Sequence, residues 1–315
     1  MTTINARTKV CGLIGYPVGH SVSPVIHNTL AKLCGRNLVY VPLPVEPGKL
    51  QKAVEGAEAF GFAGMNVTVP YKSEVIPYLR EIDPLAERIG AVNTLVPTAG
   101  GYKGCNTDMP GLYRAMCEDG VQVAGEEVVL LGAGGVARAI AFLLLDRGAK
   151  HVFILNRSKE RAMALTKEVN AAAEGYGKAA GGELPFAAAK GSRGKENGET
   201  PFAAAYGLEE YRELDQSRRY LVIQATNVGM YPETERAVIE DEAFYKLVKV
   251  GYDVIFNPTQ TRFMALVRQA GGEAYHGLKM LLYQGLIAWE LWNDMQVPEE
   301  MAKEIYRKME EALGV

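Results

Sequence analysis

The chain has 315 residues, of which 48% are hydrophobic and 23% charged, and its formal net charge at pH 7 is −3. This length provides enough apolar surface for two domains with a core each. Basic and acidic residues are interleaved, so the composition indicates neither a nucleic-acid partner nor a membrane partner. No segment approaches the roughly 20 apolar residues that cross a bilayer, and the sequence MTTINARTKV at the N-terminus lacks the apolar core of a signal peptide.

The four cysteines form no C-x-x-C pair and no zinc-ligand spacing. We therefore expect reduced thiols, no metal site and a soluble cytoplasmic protein. These cysteines are Cys11, Cys34, Cys105 and Cys117.

The first third of the chain alternates short apolar runs with helical patterns, which predicts a parallel sheet covered by helices. The predicted strands are Val10–Gly15, Leu38–Leu43 and Ala63–Val67, and the predicted helices are Pro24–Cys34 and Pro47–Ala59. Val92–Val96 and Gly101–Cys105 are predicted to form a hairpin at the edge of this sheet. A helix at Pro110–Glu118 is expected to lead into a second domain.

The second domain repeats the α/β pattern. The predicted strands are Val128–Leu131, His151–Leu155, Tyr220–Gln224 and Tyr252–Ile255, and the later predicted helices are Thr261–Ala270, Lys279–Asp294 and Pro298–Leu313. The helix at Lys279–Asp294 is apolar on most faces, so we expect it to be buried against the first domain. Residues 171–207 are rich in Ala, Gly, Lys and Glu and are long for a connection. Within them Glu183–Ala188 is a candidate strand and Lys190–Thr200 a candidate mobile surface loop.

A glycine-rich turn follows the strand that begins the second domain. The stretch VVLLGAGGVARAIA fits G-x-G-x-x-G with Ala137 at the third position. Gly132, Gly134 and Gly135 allow a sharp turn and a close approach of the backbone to a ligand. Free N–H groups at the following helix N-terminus would face a pyrophosphate. A plain glycine-rich turn is the alternative, because this pattern alone is weak.

The next strand ends about 20 residues after the glycine loop, where a dinucleotide site places the group that contacts the adenosine ribose. The chain has Asn156 and Arg157 there, and Arg161 follows one helical turn later. A guanidinium suits a 2′-phosphate, whereas an acidic residue would repel it. This favours NADP over NAD; the alternative is a solvated basic helix start.

Polar side chains gather at four strand ends or helix starts of the first domain. Ser21 and Ser23 precede a helix, where they either bind a carboxylate or cap the helix. The other clusters are Asn66, Thr68 and Lys72, then Asn93, then Asp108 in Asn106-Thr107-Asp108, which is also a candidate helix cap. Hydroxyls, amides, one ammonium and one carboxylate suit a small polyhydroxylated acid, although an isolated lysine is usually a surface residue.

Together these residues resemble the shikimate dehydrogenase family along nearly the whole chain. The shared motifs are S-V-S-P, G-x-N-V-T-x-P-x-K, G-A-V-N-T, N-T-D, G-A-G-G-x-A/S-R, N-R-S, A-T-N-x-G-M, Y-D-x-x-x-x-P and Y-Q-G-x-x-A-x-x-x-W. The resemblance implies reversible NADP-linked reduction of 3-dehydroshikimate to shikimate, in the shikimate pathway of aromatic amino acid biosynthesis. It also implies an α/β fold of two domains with a cleft between them. Residues 1–109, completed by about 277–315, would bind substrate, and residues 110–276 would form a Rossmann-type NADP domain.

The resemblance assigns roles by position. Lys72 and Asp108 form the catalytic pair, in which the ammonium gives a proton to the carbonyl oxygen and the carboxylate holds the ammonium in place. The implied substrate-binding residues are Ser21, Ser23, Asn66, Thr68, Asn93, Tyr252 and Gln284. The implied cofactor-binding residues are Gly132, Ala133, Gly134, Gly135, Val136, Asn156, Arg157, Arg161, Thr226, Asn227, Met230 and Gly251. The four histidines, His20, His27, His151 and His276, are not required by this scheme, so we interpret them as structural.

The sequence departs from the family pattern at Met109, where a smaller residue is common, and in the long 171–207 segment. Two alternatives stay open. A quinate/shikimate dehydrogenase with relaxed cofactor use is disfavoured by Ser23, where quinate users often have Thr, and by Arg157. A silent relative that senses the ligand and controls a partner is disfavoured by the intact Lys72 and glycine loop. The protein is expected to be a monomer or a homodimer.

Overall fold

The computed structural model describes residues 4–179 and 201–314. The strand predicted at Glu183–Ala188 and the loop predicted at Lys190–Thr200 lie outside the described residues.

Strands and helices alternate through the described residues. The strands are β1 (Lys9–Gly15), β2 (Leu38–Pro44), β3 (Gly64–Val67), β4 (Glu81–Ile82), β5 (Thr94–Thr98), β6 (Gly101–Cys105), β7 (Glu127–Leu131), β8 (His151–Asn156), β9 (Ala203–Gly207), β10 (Tyr220–Gln224), β11 (Val248–Asp253) and β12 (Glu273–Tyr275). The helices are α1 (Ser23–Leu33), α2 (Leu50–Ala59), α3 (Pro84–Ile89), α4 (Asp108–Glu118), α5 (Gly135–Asp146), α6 (Lys159–Ala179), α7 (Glu242–Tyr245), α8 (Arg262–Gln269), α9 (Leu278–Asn293) and α10 (Glu299–Leu313). Short 3₁₀ helices lie at Ile76–Tyr78 and Leu208–Glu213.

The chain divides into two compact units. One comprises Met1–Ala115 with Lys279–Val315, and the other comprises Met116–Leu278. Each unit contains one six-stranded sheet. The predicted α/β fold class is thereby confirmed, whereas the assignment of substrate to one unit and cofactor to the other stays a prediction.

The sheet of the first unit is mixed and has the order β2-β1-β3-β5-β6-β4. β1 runs parallel to β2 and β3, while β5 is antiparallel to β3 and to β6. The predicted hairpin therefore lies inside the sheet and not at its edge. Its outer neighbour is β4, which pairs with β6 over only Glu81 and Ile82. Two residues are too few to produce an alternation in the sequence, which explains why this strand was not predicted.

The sheet of the second unit is wholly parallel and has the order β12-β11-β10-β7-β8-β9. Its central strands are almost completely buried, as the continuous apolar run at Val128–Leu131 predicts. The chain moves from β7 to β8 and β9 on one side, then returns to place β10 on the other side of β7. The carboxyl ends of β7 and β10 therefore flank the switch in strand order, which is where open α/β sheets bind ligands.

Several predicted boundaries need correction. The second helix begins at Leu50 and not at Pro47, because Gly48 has a φ of +81° and turns the chain. The hairpin's first strand begins at Thr94, and β11 spans Val248–Asp253 rather than 252–255. Lys249 interrupts the apolar pattern that would have indicated the earlier start.

The segment predicted as irregular from Ala171 begins and ends in regular structure. Helix α6 continues to Ala179, and β9 begins at Ala203. Alanine has high helix propensity, but a run of alanines has no alternation of apolar and polar residues. The alanine-rich end of α6 therefore gives no helical periodicity in the sequence.

Helices α9 and α10 pack within the first unit, as predicted for the C-terminal helices. α10 contacts α1. Trp292 of α9 donates from its indole Nε1 to the carbonyl of Leu95 across 3.0 Å. The same ring covers Gly64 so closely that an added Cβ would lie 2.4 Å from it. β3 therefore needs a residue without a side chain at this position.

Gly64→Ala is expected to destabilise the protein by about 1–3 kcal/mol, because a methyl group would displace the Trp292 ring from a packed core. Gly56→Ala is the matched control: Gly56 lies inside α2, and nothing stands within 4 Å of an added Cβ. It should be neutral or stabilise by up to about 1 kcal/mol. Urea unfolding of both variants provides the measurement, and equal stabilities would contradict the packing argument.

Asp253 is a fully buried carboxylate at the end of β11. Its Oδ2 accepts from the Thr261 hydroxyl at 2.7 Å, and its Oδ1 accepts from the Ile255 N–H at 3.0 Å and from Gln224 Nε2 at 3.3 Å. Burial raises the pKa of Asp253 from 3.8 to about 6, against the opposing effect of these hydrogen bonds. Folding therefore favours the protonated form.

The stability of the protein should fall as pH rises from about 4 to about 6, because the folded state binds more protons than the unfolded state in that range. Asp253→Asn removes this titration. The unfolding free energy of the native protein relative to Asp253→Asn should decrease by about 2 kcal/mol from pH 4 to pH 7. Unfolding curves at several pH values test this, and a pH-independent difference would show that Asp253 titrates normally.

Candidate active site

Four segments of the first unit, which carry predicted substrate or catalytic residues, meet at one edge of its sheet. β1 and β3 are parallel, so the residues after Gly15 and after Val67 emerge at the same edge. β5 is antiparallel and pairs its first residue, Thr94, with Asn66 of β3 and with Cys105 of β6. The start of β5 and the end of β6 therefore lie at this edge too.

Ser21 and Ser23 interact with each other at the start of α1. The Ser21 hydroxyl donates to Ser23 Oγ at 3.1 Å and accepts the Ser23 N–H at 3.2 Å. The residue at the N-cap position is Val22, and no side chain caps the helix. Ser21 nevertheless accepts the N–H of Ser23, the first residue of α1, so it satisfies one free N–H of the helix start. The capping interpretation therefore stays open for Ser21, and the role of both serines toward a carboxylate stays a prediction.

Lys72 and Asp108 form an ion pair, with 2.7 Å between Nζ and Oδ2. The lysine side chain is 33% exposed and the aspartate side chain 16%. The other carboxylate oxygen of Asp108 accepts from Asn93 Nδ2 at 2.9 Å. Asp108 is thus held on both sides, while its partner ammonium stays accessible from solvent.

Asp108 lies in the first turn of α4, two residues before the predicted helix start. In the candidate capping cluster Asn106-Thr107-Asp108, one residue caps the helix and another forms the ion pair. Asn106 Oδ1 accepts from the N–H of Met109 at 3.3 Å, which satisfies the helix start and leaves Asp108 free to pair with Lys72. Gln284 of α9 also reaches this cluster, with its Oε1 3.5 Å from Asn93 Nδ2. Gly111 permits the approach, because an added Cβ would lie 2.6 Å from the Gln284 backbone nitrogen.

Asn66 is buried, and its amide makes three hydrogen bonds within the protein. Its Oδ1 accepts from the Tyr40 hydroxyl at 2.8 Å, and its Nδ2 donates to the Asn93 carbonyl and to Thr94 Oγ1, both at 3.1 Å. Thr68 follows β3 and is half-buried. A Cβ on Gly15 would lie 2.4 Å from its methyl group, so this threonine packs directly against the end of β1.

Three buried hydroxyls that the sequence analysis did not select connect these residues. Thr94 and Thr107 lie 3.0 Å apart through their Oγ1 atoms, and both contact the Asn93 side chain. Tyr40 contacts Asn66, and burial holds the pKa of its phenol well above the usual range, so it stays a donor. The two threonines belong to the motifs N-T-D and A-V-N-T, so the sequence offered a reason to select them. Tyr40 belongs to no motif, and a tyrosine in a strand is typical of a hydrophobic core.

Tyr40 is held in place by two residues of α1. The Asn28 side chain pairs with the Tyr40 backbone, donating to its carbonyl and accepting its N–H, both at 2.9 Å. The His27 ring stacks on the Tyr40 ring with 4.3 Å between centroids. Burial lowers the pKa of His27 to about 3, so the imidazole is neutral.

The glycine loop of the second unit has the geometry that its sequence predicts. Gly132 has a φ of +117°, which favours glycine, and Gly134 is the N-cap residue of α5 without any side-chain cap. Nothing lies within 4 Å of a Cβ added at Gly134 or Gly135, and Val136 is exposed. Ala133 is half-buried between these glycines. The loop leaves the N–H groups of the helix start open to a ligand.

The residues after β8 are exposed and basic. Arg157 and Arg161 are exposed, and Asn156 donates from Nδ2 to the Ser158 carbonyl at 2.8 Å. Lys159, in contrast, pairs with Glu210 at 2.6 Å. Two guanidinium groups are therefore available at the end of the strand next to the glycine loop.

The loop after β10 carries Thr226, Asn227 and Met230 beside the glycine loop. Thr226 accepts the Val228 N–H at 3.1 Å, and Asn227 and Met230 are exposed. Gly251 and Tyr252 are placed differently, inside β11 with neighbouring strands on both sides. The Tyr252 ring is fully buried, and its hydroxyl donates to Asp119 at 3.4 Å. The roles given to Gly251 and Tyr252 stay predictions.

These residues fit a dinucleotide. The Gly134–Gly135 stretch leaves open space above an uncapped helix start, and basic side chains follow the adjacent strand. A pyrophosphate accepts hydrogen bonds from such a helix start, and a ribose 2′-phosphate is suited to guanidinium groups. Within residues 4–179 and 201–314, no group of three histidine, cysteine or acidic side chains could hold a metal ion.

Comparisons with known proteins agree with this architecture. The sequence matches the family described as the shikimate dehydrogenase substrate binding domain over residues 13–95 and the family described as shikimate / quinate 5-dehydrogenase over residues 116–178. The NADP⁺ shikimate dehydrogenase of Moorella thermoacetica is 39% identical over 100% of this chain and 97% of its own.

Solved structures are similar over the same extent. A shikimate dehydrogenase in complex with NADP⁺ superposes with a TM-score of 0.80 at 35% identity, covering 98% of both chains. The Thermus thermophilus enzyme in complex with NADP(H) and shikimate gives a TM-score of 0.76 at 28% identity, covering 96% of this chain and 99% of that one. The resemblance inferred from the motifs is confirmed, and the chain belongs to the shikimate dehydrogenase family.

Proposed function

We propose that the protein catalyses the reversible NADP-linked reduction of 3-dehydroshikimate to shikimate, with Lys72 and Asp108 as its catalytic pair. The reaction and the cofactor follow from family membership and from full-length relatives named as NADP⁺ shikimate dehydrogenases. The observation that carries the residue assignment is the 2.7 Å contact between Lys72 Nζ and Asp108 Oδ2.

The nicotinamide cofactor, held by the glycine loop and the basic residues after β8, would supply a hydride to the carbonyl carbon of the substrate. The Lys72 ammonium donates a proton to the carbonyl oxygen as negative charge develops there, which yields the alcohol. In the reverse direction, the neutral amine of Lys72 accepts the proton of the substrate hydroxyl. Asp108, fixed by Asn93 at 2.9 Å, keeps the ammonium aimed at the reacting oxygen.

The remaining assignments follow the chemistry of the ligand. The Ser21 and Ser23 hydroxyls donate to the substrate carboxylate, and the half-buried Thr68 and the amides around Asn93 select ring hydroxyls. The residues proposed for the ring are Asn66, Thr68, Asn93, Asp108 and Gln284, with Tyr252 nearby. This proposal is supported by the convergence of Ser21, Ser23, Asn66, Asn93 and Asp108 at one edge of the first sheet.

The proposed cofactor site lies at the carboxyl edge of the second sheet. The loop at 132–136 binds the pyrophosphate, Asn156, Arg157 and Arg161 contact the 2′-phosphate, and Thr226, Asn227, Met230 and Gly251 contact the nicotinamide half. Open space at the glycine loop supports the first assignment.

We further propose that the protein is cytoplasmic and is a monomer or a homodimer. Cys11, Cys34, Cys105 and Cys117 are all free thiols, which suits a reducing compartment. None of the helices in the described part of the chain is long and apolar enough to cross a membrane. Light scattering of the purified protein measures the oligomeric state.

The direct test is the absorbance of reduced nicotinamide, followed with shikimate or quinate and with NADP⁺ or NAD⁺. Turnover with shikimate and NADP⁺, and little with the other combinations, is the expected result. Comparable rates with quinate would contradict the interpretation of Ser23. Folded protein that binds shikimate without turnover would make it a silent relative.

Lys72→Ala should lower kcat by about two orders of magnitude or more while changing the dissociation constant for shikimate much less, because the proton is transferred only in the transition state. Lys49→Ala is the control, since Lys49 forms an exposed ion pair with Glu46 in the same unit. Stopped-flow turnover and calorimetric shikimate binding separate the two effects. Equal losses in binding and turnover would contradict a catalytic role.

Arg157→Ala should raise KM for NADP⁺ about tenfold or more and leave KM for NAD⁺ nearly unchanged, because only NADP⁺ carries the phosphate that the guanidinium contacts. Arg218→Ala is a matched control: Arg218 pairs on the surface with Glu127 at the amino end of β7. If the preference for NADP⁺ is unchanged in Arg157→Ala, another group, such as Arg161, contacts the phosphate.

A further inference from the structure

Gln224 is a fully buried polar residue at the end of β10, directly before the loop 225–230. Its Oε1 accepts the N–H of Thr226 at 2.5 Å. Its Nε2 donates to the carbonyl of Val228 at 3.2 Å and to Asp253 Oδ1 at 3.3 Å. One side-chain amide thus contacts the loop backbone at two points and the adjacent strand at a third.

Asp253 determines which way this amide points. A rotated amide would place its oxygen against the Asp253 carboxylate and the Val228 carbonyl, and would place its NH₂ group against the Thr226 N–H. All three contacts would then be repulsive, so only one orientation is stable. Asp253 is held in turn by the Thr261 hydroxyl at 2.7 Å, and Thr261 caps α8 by accepting from Met264 N at 3.3 Å.

The loop also packs against the glycine turn. Gln224 pairs in register with Leu131, the residue before Gly132. A Cβ added at Gly132 would lie 2.9 Å from Thr226 Cγ2 and 3.2 Å from the Ala225 carbonyl oxygen. Movement of the loop at 225–230 would therefore displace the turn proposed to bind the pyrophosphate.

We propose that Gln224 is a positioning residue of the dinucleotide site, whose buried amide holds loop 225–230 in the conformation that binds the nicotinamide half of the cofactor. Asp253 and Thr261 fix the orientation of that amide. This inference rests on the proposed assignment of Thr226, Asn227 and Met230 to the cofactor. None of the atoms of Gln224 needs to contact the cofactor itself.

Two substitutions of similar size distinguish the effect of the Gln224 hydrogen bonds from the effect of its side-chain volume. Gln224→Met keeps a similar shape and removes all three contacts. Gln224→Glu retains an acceptor for Thr226 N but places a carboxylate against Asp253 and the Val228 carbonyl. We expect either change to raise the dissociation constant for NADPH about tenfold or more, since each leaves buried loop groups unpaired or repelled.

The matched control is Asn170→Leu. Asn170 is another amide of the same unit that bridges backbone groups, donating to the Ala203 carbonyl at 3.0 Å and accepting the Ala203 N–H at 2.8 Å. It joins α6 to β9, away from the loop. The Asn170→Leu variant should have a lower unfolding temperature, and its NADPH affinity should stay within about twofold of the native value, because the contacts of Asn170 do not reach the cofactor loops.

Asp253→Asn provides a rescue. Alone it keeps an oxygen for Gln224 Nε2 and Ile255 N, so it should weaken NADPH binding less than either Gln224 variant does. Combined with Gln224→Glu it removes the repulsion between two carboxylates and should recover about threefold or more of the lost affinity. An additive double variant would contradict the proposed coupling.

The measurements are NADPH fluorescence titration of the full chain without substrate, thermal unfolding, and KM for NADP⁺ and for shikimate. We expect KM for NADP⁺ to rise in step with the dissociation constant for NADPH, and KM for shikimate to change less than about twofold. If Gln224→Met fails to fold, Gln224→Glu and its rescue decide the question. Stable Gln224 variants with native NADPH affinity would overturn the inference.

Asn227→Ala distinguishes this inference from the assignment on which it rests. If Asn227→Ala and a Met230→Ala variant both bind NADPH normally, the loop does not contact the cofactor, and the assignment fails together with the inference. If they weaken binding and the Gln224 variants do not, only the positioning role fails. Native protein that binds NADPH without oxidising shikimate would instead contradict the proposed reaction.

Discussion

Parallel pairing of strands is the constraint on which both units depend. Parallel neighbours need crossover helices, so the segments that follow their carboxyl ends all emerge at one edge of the sheet. In the first unit this rule brings the ends of β1 and β3 together, and the antiparallel β5 and β6 add their own termini to the same edge. In the second unit it places the glycine turn after β7 beside the loop after β10. Polar residues from distant parts of the chain become neighbours without any long-range sequence signal.

At the functional edge of each sheet, a side-chain amide donates a hydrogen bond to a carboxylate. Asn93 donates to Asp108, and Gln224 donates to Asp253. An amide donates at one end and accepts at the other, so it can bind a carboxylate and at the same time the backbone or a hydroxyl nearby. Burial strengthens these contacts and penalises any arrangement that leaves one unmade. The geometry of each edge is therefore set by a few polar groups and not by the apolar core alone.

The sequence predicted the fold class, the central strands and the family because these features have strong local signals. The run Val128–Leu131 and the glycines that follow it are such a signal, and the order of the polar motifs is another. It could not predict β4, which is two residues long, nor that α6 continues through an alanine-rich stretch without amphipathic periodicity. Tyr40 was missed for a different reason. Its importance depends on a partner, Asn66, that only the folded sheet brings near it.

Burial of the two amides has a consequence for the chemical ageing of the protein. Deamidation replaces an amide with a carboxylate, and its net reaction consumes water. At Asn93 it would leave two carboxylate oxygens within 2.9 Å of each other, and at Gln224 within 3.3 Å. Asn93 is only 3% exposed and Gln224 is 0% exposed. The same burial that orients these groups therefore limits the access of water to them, and we expect them to deamidate more slowly than the exposed amides of the chain.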